Sequence, residues 1–167
     1  MIHYSPEQFK VSCPALVMQE ERVGVLVATS GAFDLLHRGH LKLFRYCRKL
    51  GDTVVVLLNT NHSIQKYKSE HRPVKDWNTR AELLDAMGNV DHVVGLHEAD
   101  PIYAIGAIRP DVWVKGDRPI EEIVEKDALF GLGCDIIVLW NCEAGSSTDL
   151  IEKAAQIYAA EQNPIES

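Results

Sequence analysis

The stretch Ala28-Thr29-Ser30-Gly31-Ala32-Phe33-Asp34-Leu35-Leu36-His37-Arg38-Gly39-His40 decides how this chain is read. Before it, Val23-Gly24-Val25-Leu26-Val27 is a short apolar run rich in β-branched residues, the pattern of a strand buried on both faces. After it, Leu41, Leu43, Phe44, Cys47 and Leu50 recur at helical spacing with basic residues between them, which predicts an amphipathic helix closed by Gly51. The stretch is therefore a strand-to-helix turn carrying a glycine, a carboxylate and two histidines three positions apart. A helix start exposes unpaired N–H groups and the positive end of the helix dipole, so it binds anions readily. His37 and His40 can donate hydrogen bonds to phosphate oxygens there and stabilise charge that builds on a phosphorus centre. Gly31 and Gly39 would let backbone, base or ribose approach where a Cβ would obstruct. The plainer alternative makes both histidines ordinary surface or capping residues.

The totals fit one domain with a real core: 167 residues, 46% hydrophobic and 25% charged. A formal net charge of −7 argues against nucleic acid or an anionic membrane as the main partner. An acidic protein that binds a polyanion must concentrate positive charge locally. No apolar run approaches the roughly 20 residues of a membrane span, and no signal pattern opens the chain. Cys13, Cys47, Cys134 and Cys142 show neither C-x-x-C nor a zinc spacing, so a reducing, cytoplasmic setting is expected, with Cys47 in the core.

Residues 1–22 read as an N-terminal arm packing on the domain or on a partner subunit, with Ser5 and Pro6 opening a short helix. Residues 23–162 form the domain, and 163–167 a C-terminal tail. Thr53 to Leu58 is a second buried strand, running into a long polar loop, Asn59 to Asn78, that carries Lys66, Lys68, His71, Arg72 and Lys75. Asn78 or Asp76 caps the next helix, Asp91 to Val94 is a short strand, and Asp100-Pro101 opens a helix through about Ile108. Asp111 to Val114 is a strand ending in Lys115-Gly116-Asp117, and Pro119 starts a helical patch. Asp135 to Trp140 is the last strand. Ser147 or Ser146 then caps a final helix in which Leu150, Ile151, Ala154, Ala155 and Ile157 should face inward. This alternation predicts an α/β fold, a Rossmann-like open parallel sheet of about five strands with helices on both faces. Ligands of such sheets sit beyond the carboxyl ends of the strands, where the polar groups of this chain collect.

The string Gly31 to His40 resembles the G-x-F-D-x-x-H-x-G-H signature of the HxGH nucleotidyltransferase superfamily. From Val25 to about Lys153 the chain is most similar to the adenylyltransferase domain of bacterial ADP-heptose synthase, D-glycero-β-D-manno-heptose 1-phosphate adenylyltransferase. Further blocks carry the likeness: Arg48 to Asp52, Lys68 with Arg72-Pro73-Val74 and Arg80, Arg109 to Asp117, and Glu143 to Ile151. Glycerol-3-phosphate cytidylyltransferases share the first motif, but usually carry an arginine-threonine-glutamate run where Asn141 to Gly145 stands here. The chain departs from the heptose family at Gly116-Asp117-Arg118, where two glycines followed by Asp-Tyr are usual. No sugar-kinase domain precedes the motif, which suggests a stand-alone form.

The resemblance implies attack by a sugar or polyol phosphate on the α-phosphorus of a nucleoside triphosphate, most simply ATP, with loss of pyrophosphate. His37 and His40 would contact the triphosphate, and Lys68 would bridge it to the incoming phosphate. Ser30, Gly31, Ala32, Phe33, Asp34, Gly39, Lys115, Gly116 and Asp117 would line the nucleotide site, while Ser146, Ser147 and Thr148 would hold the terminal phosphates. Asp34 can equally fix the turn by accepting backbone N–H bonds, and Asp117 can cap the following helix. Arg72 and Arg80 are expected on the acceptor substrate; Arg80 stands at a helix start, where the dipole disfavours a cation and a phosphate would compensate. Mg²⁺ is expected because pyrophosphate needs neutralising and no arginine cluster substitutes, its ligands being mainly phosphates and water rather than protein. A homodimer is expected from the family. Two other readings are cytidylyl transfer to glycerol 3-phosphate or another polyol phosphate, and a non-catalytic nucleotide-binding relative.

Overall fold

The computed structural model describes residues 1–140 and 147–162. Six strands lie in one parallel sheet: β1 (Ile2–His3), β2 (Leu26–Gly31), β3 (Thr53–Asn59), β4 (His92–Leu96), β5 (Val112–Gly116) and β6 (Asp135–Leu139), in the order β1-β4-β3-β2-β5-β6. Around them pack α1 (Pro6–Ser12), α2 (Pro14–Val17), α3 (Arg38–Leu50), α4 (Asn61–Tyr67), α5 (Trp77–Asp85), α6 (Ile102–Ile108) and α7 (Lys126–Gly131), with a 3₁₀ turn at Ile120–Glu122. A last helix, α8, runs from Ser147 to Gln162. The expected architecture is present with one strand more than the sequence suggested. Among the described residues, no helix is long and apolar enough to cross a membrane.

Both faces of the central strands are dry. Along β3, Val55 and Leu57 join Leu26, Ala28, Phe9, Ile105 and Trp113 on one side. Val54, Val56 and Leu58 join Val27, Phe44, Cys47 and Leu84 on the other. The period of two in strand geometry assigns these faces, and burial on both explains why β3 is apolar at every central position. Ser5 and Asp76 cap their helices as expected, accepting from the N–H groups of Gln8 and Thr79.

The first central strand begins at Leu26 rather than Val23. Gly24 turns the chain at φ +89, and Val23 is 92% exposed. Carboxylates then receive the strand's first N–H groups: Asp52 accepts from Val25 at 2.8 Å and Asp111 from Leu26 at 2.7 Å. Gly51 is extended, at φ −164, and so is no left-handed helix cap. A Cβ there would stand 2.5 Å from the Val25 carbonyl oxygen.

Residues 1–22 lie against the sheet. Ile2 and His3 pair with Val93 and Val94, and Phe9 is fully buried. The stretch Asn59 to Asn78 is not one long loop, because Thr60 caps α4 by accepting from the N–H of Ser63 and Ile64 anchors that helix in the interior. The inward stripe expected on α8 is not found. No residue of this helix is buried, and Leu150 and Ile157 are 38% and 51% exposed.

The strand order places the reversal at β2, whose neighbours are β3 and β5. In an open parallel sheet the crevice forms beyond the carboxyl ends of the strands at that point.

Candidate active site

A cavity of about 910 Å³ opens at this end of the sheet. Segments far apart in the chain bring Ser30 to Phe33, His37, Gly39 and His40, Lys68, Lys115 to Asp117, and Ser147 to Asp149 to one space. Asn59, Tyr67, Asp100 and Glu125 also line it, and the sequence reading missed them as site residues. Asn59 and Asp100 had a usable signal, since each follows or ends a strand at its carboxyl end. Ser146 lies outside the described residues.

The motif turn is stiff. Phe33 takes a left-handed conformation at φ 45 and is buried, its ring packed edge-on to His40 and tilted against Phe44, both at 5.1 Å between centroids. A Cβ on Gly31 would sit 3.1 Å from that ring, which gives the glycine a packing reason of its own. His37 is the N-cap of α3, and its Nδ1 accepts from the Gly39 N–H at 3.2 Å. A neutral imidazole that accepts at Nδ1 carries its proton on Nε2, so the capping role and a donor role coexist.

His37 and His40 stack with centroids 3.8 Å apart. Burial, then the neighbouring His37 and Lys68, push His40 down to about 4. His37 is also lowered by burial, against an opposing pull from Asp149. Both shifts favour the neutral imidazole. Among the described residues, the buried Nδ1 of His40 has no hydrogen-bond partner, which is costly without a ligand or water.

Lys68 ends α4, and its ammonium is lowered by burial and then by Arg72, partly offset by Asp34. Lys115 leaves β5 and donates to Ser30 Oγ at 2.8 Å, and it pairs with Glu125 Oε1 at 2.8 Å. The same carboxylate oxygen accepts from Trp113 Nε1 at 3.0 Å. Burial lowers the Lys115 ammonium and Glu125 opposes this. Glu125 is thus a buried anchor that holds the lysine at the cavity floor, with no signal in the sequence beyond a carboxylate in a charged patch. Asp117 has a left-handed backbone at φ 44, and its N–H donates to Leu139 O. Ser147 Oγ donates to Leu35 O at 3.1 Å, which ties the first turn of α8 to the motif turn.

Asp34 and the two arginines stand apart. Asp34 is 1% exposed and does not line the cavity. Its carboxylate accepts from Arg72 Nε and from the N–H groups of Val74 and Lys75, each at 3.0 Å. Of the two roles open to it, the fold uses the structural one. Arg72 lies in that ion pair, outside the cavity wall. Arg80, expected on substrate phosphate, is fully buried. Its guanidinium donates to the carbonyls of Lys75, Ala32 and Asn59 and to Asn61 Oδ1 at 2.7–3.0 Å. Four oxygens, rather than a phosphate, compensate its charge at the helix start. It clamps the ends of β2 and β3 together.

The cytidylyltransferase-like family matches residues 28–153 of this chain. The chain is similar to the bifunctional protein HldE of Actinobacillus succinogenes, with 39% identity over 140 residues, covering 83% of this chain and 29% of that protein. Against the bifunctional protein HldE of Histophilus somni the identity is 39%, over 86% of this chain and 30% of that protein. The chain therefore spans about 30% of the length of these relatives. Among solved structures, the lipopolysaccharide core biosynthesis protein of Thermoplasma volcanium GSS1 superposes with a TM-score of 0.58 at 26% identity, covering 71% of this chain and 96% of that one. Pantoate-beta-alanine ligase from Francisella tularensis shares the fold, with a TM-score of 0.64 at 16% identity over 98% of this chain and 79% of its own.

Proposed function

Because the chain belongs to the cytidylyltransferase-like family, we propose that it transfers AMP from ATP to a phosphorylated sugar such as heptose 1-phosphate, releasing pyrophosphate. The observation that carries this reading is the single cavity shared by two stacked histidines, two lysines and the start of a 16-residue helix. The likeness to HldE proteins and to a lipopolysaccharide core biosynthesis protein favours a sugar phosphate as acceptor.

In this reaction an acceptor phosphate oxygen forms a bond to the α-phosphorus while the bond from that phosphorus to the β-phosphate's bridging oxygen breaks. The acceptor is already ionised at neutral pH, so no general base is needed, and catalysis consists of positioning and charge stabilisation. His37, with Nδ1 engaged by Gly39, presents Nε2–H as a fixed donor. His40, whose buried Nδ1 has no hydrogen-bond partner among the described residues, supplies the second contact. The triphosphate's own charge favours protonated imidazole, opposing the burial that keeps the free site neutral. Lys68 neutralises the two phosphates as they approach. Lys115, held by Glu125 and Ser30, lines the same cavity and meets the nucleotide there. The N–H groups that open α8, with Ser147 and Thr148, bind the β- and γ-phosphates.

Mg²⁺ belongs to this reading. The cavity wall carries the carboxylates of Asp117 and Asp149, hard oxygen donors of the kind Mg²⁺ takes, and these would hold it alongside the phosphates. When bound, the ion neutralises the leaving pyrophosphate. A homodimer in a reducing, cytoplasmic setting is also proposed. The exposed apolar residues of α8, Leu150, Ile157 and Tyr158, are a surface that self-association would cover, which sedimentation equilibrium measures.

The deciding experiment incubates the protein with Mg²⁺, ATP or CTP, and heptose 1-phosphate or glycerol 3-phosphate, and follows pyrophosphate. Release with ATP and the sugar phosphate is expected. Release only with CTP and glycerol 3-phosphate would replace this reading with cytidylyl transfer, and no release with any pair would leave nucleotide binding alone.

A further inference from the structure

At the other end of the sheet, three side chains that nucleotide chemistry does not use meet at the edge strand. His3 lies on β1 and His92 begins β4. The register pairs His3 with Val94, so His92, two residues before Val94, is on the same face. Cys13 arrives over that face from the joint where α1 ends and α2 begins. One ligand atom from each residue lies within 4.8 Å of the other two.

The geometry points to a structural site for a borderline-soft divalent cation, Zn²⁺ above all, held by His3, Cys13 and His92 with water in the fourth position. His3 Nε2 and His92 Nδ1 share a hydrogen bond at 3.1 Å, a spacing close to the ~3.3 Å that tetrahedral Zn–N bonds of 2.0–2.1 Å impose, so the ion would take the place of the shared proton. The sulfur needs a shift of only about an ångström to complete the triangle, within reach of a side-chain torsion. Phe9 packs edge-on against both rings, at 5.1 and 5.3 Å, and fixes their planes as an outer shell would. Cys13 and His92 are half-buried, which leaves solvent access for the ion and its water.

Protonation favours the ion as well. Both imidazoles are held neutral, His3 chiefly by burial and His92 at about 4 by burial and then His3. A metal takes unprotonated imidazole, the form that burial favours at both rings. Burial raises the Cys13 thiol, and the adjacent cation would draw it to thiolate. His92 stands at the amino end of β4, away from the cavity, so such an ion rivets residues 1–22 to the sheet rather than serving transfer.

The test uses the full chain dialysed against EDTA, with Co²⁺ as the optical probe and Zn²⁺ as competitor. One equivalent of Co²⁺ should give a thiolate-to-cobalt charge-transfer band that Zn²⁺ abolishes, and Cys13→Ser should remove the band while leaving Mg²⁺-supported turnover at the wild-type level. In the unmodified protein, Zn²⁺ should slow alkylation of Cys13 at least tenfold, read by peptide mapping, which decides the matter even if the variant fails to fold. Cobalt bound without a thiolate band would mean binding at His37 and His40 only. That result, a band that survives in Cys13→Ser, or alkylation indifferent to Zn²⁺ overturns the proposal.

Discussion

Replacing Asp34 by asparagine changes one oxygen to an amide nitrogen and should unfold more than it should disable. The native carboxylate takes Arg72 Nε and the Val74 N–H on Oδ2 and the Lys75 N–H on Oδ1, and Arg72 Nη2 is 2.9 Å from Oδ2. An asparagine can accept at one of these positions only; the other then faces N–H with N–H. One backbone donor or the guanidinium is left unsatisfied in a site where Asp34 is 1% exposed. An orphaned buried donor costs about 1–3 kcal/mol, and breaking a buried ion pair on one side costs about 3–5 kcal/mol. These overlap, so a loss of about 3–4 kcal/mol is expected for Asp34→Asn. Urea unfolding at pH 7 measures it, with an unchanged m-value marking a true stability effect. Removing Arg72 as well, as Arg72→Met, should cost less than the sum of the single changes, since the buried cation then no longer lacks its partner. Transfer should weaken too, because the tethered segment begins four residues after Lys68. A variant as stable as the wild type whose turnover falls a hundredfold would refute this reasoning and put the carboxylate on the nucleotide.

Three further outcomes can be checked together. His40→Ala should lower kcat for pyrophosphate release by about 10²–10³, while stability holds or rises, since a buried Nδ1 with no partner among the described residues is removed. Unchanged turnover would remove the catalytic role. Glu125→Gln keeps the shape but strips Lys115 of its countercharge, so stability should fall by about 3 kcal/mol and the KM for nucleotide should rise. Acid should destabilise the fold through His40 and His92, both lowered to about 4. As pH falls below about 6.5, the unfolded chain takes up protons at these sites that the folded chain refuses until about 4. Stability contributed by neutral burial is therefore full above pH 6.5, declines through that window and levels off below it. The slope in urea midpoints between pH 7 and 4.5 should be shallower in His40→Gln than in the wild type.

The structure separates two kinds of information in the sequence. A pattern states that a surface is apolar or that a charge sits at a helix end; it does not name what lies opposite. The buried strand at Thr53–Asn59 was legible because a parallel sheet covered on both sides demands apolar residues throughout, whatever covers them. The motif turn was legible as a strand-to-helix turn for a related reason: the apolar run before it and the helical stripe after it are set by their own burial. Arg80 was misread because the sequence cannot say that the oxygens of Lys75, Ala32, Asn59 and Asn61 converge on it, whereas a cation at a helix start is an equally good phosphate hand. The stripe on α8 failed in the same way, since its periodicity is real yet none of its residues is buried among the described residues. Ile2–His3 carried no pattern at all, two residues being too few for a period, yet this strand brings His3 beside His92. Glu125 marks the limit of the method: only the Trp113 and Lys115 side chains meeting it in space distinguish it from Glu121 and Glu122 on the surface. Local rules thus reach the residues whose role is set by their own backbone. Residues defined by convergence require the fold, and both the proposed transfer site and the proposed His3–Cys13–His92 cation site are of that second kind.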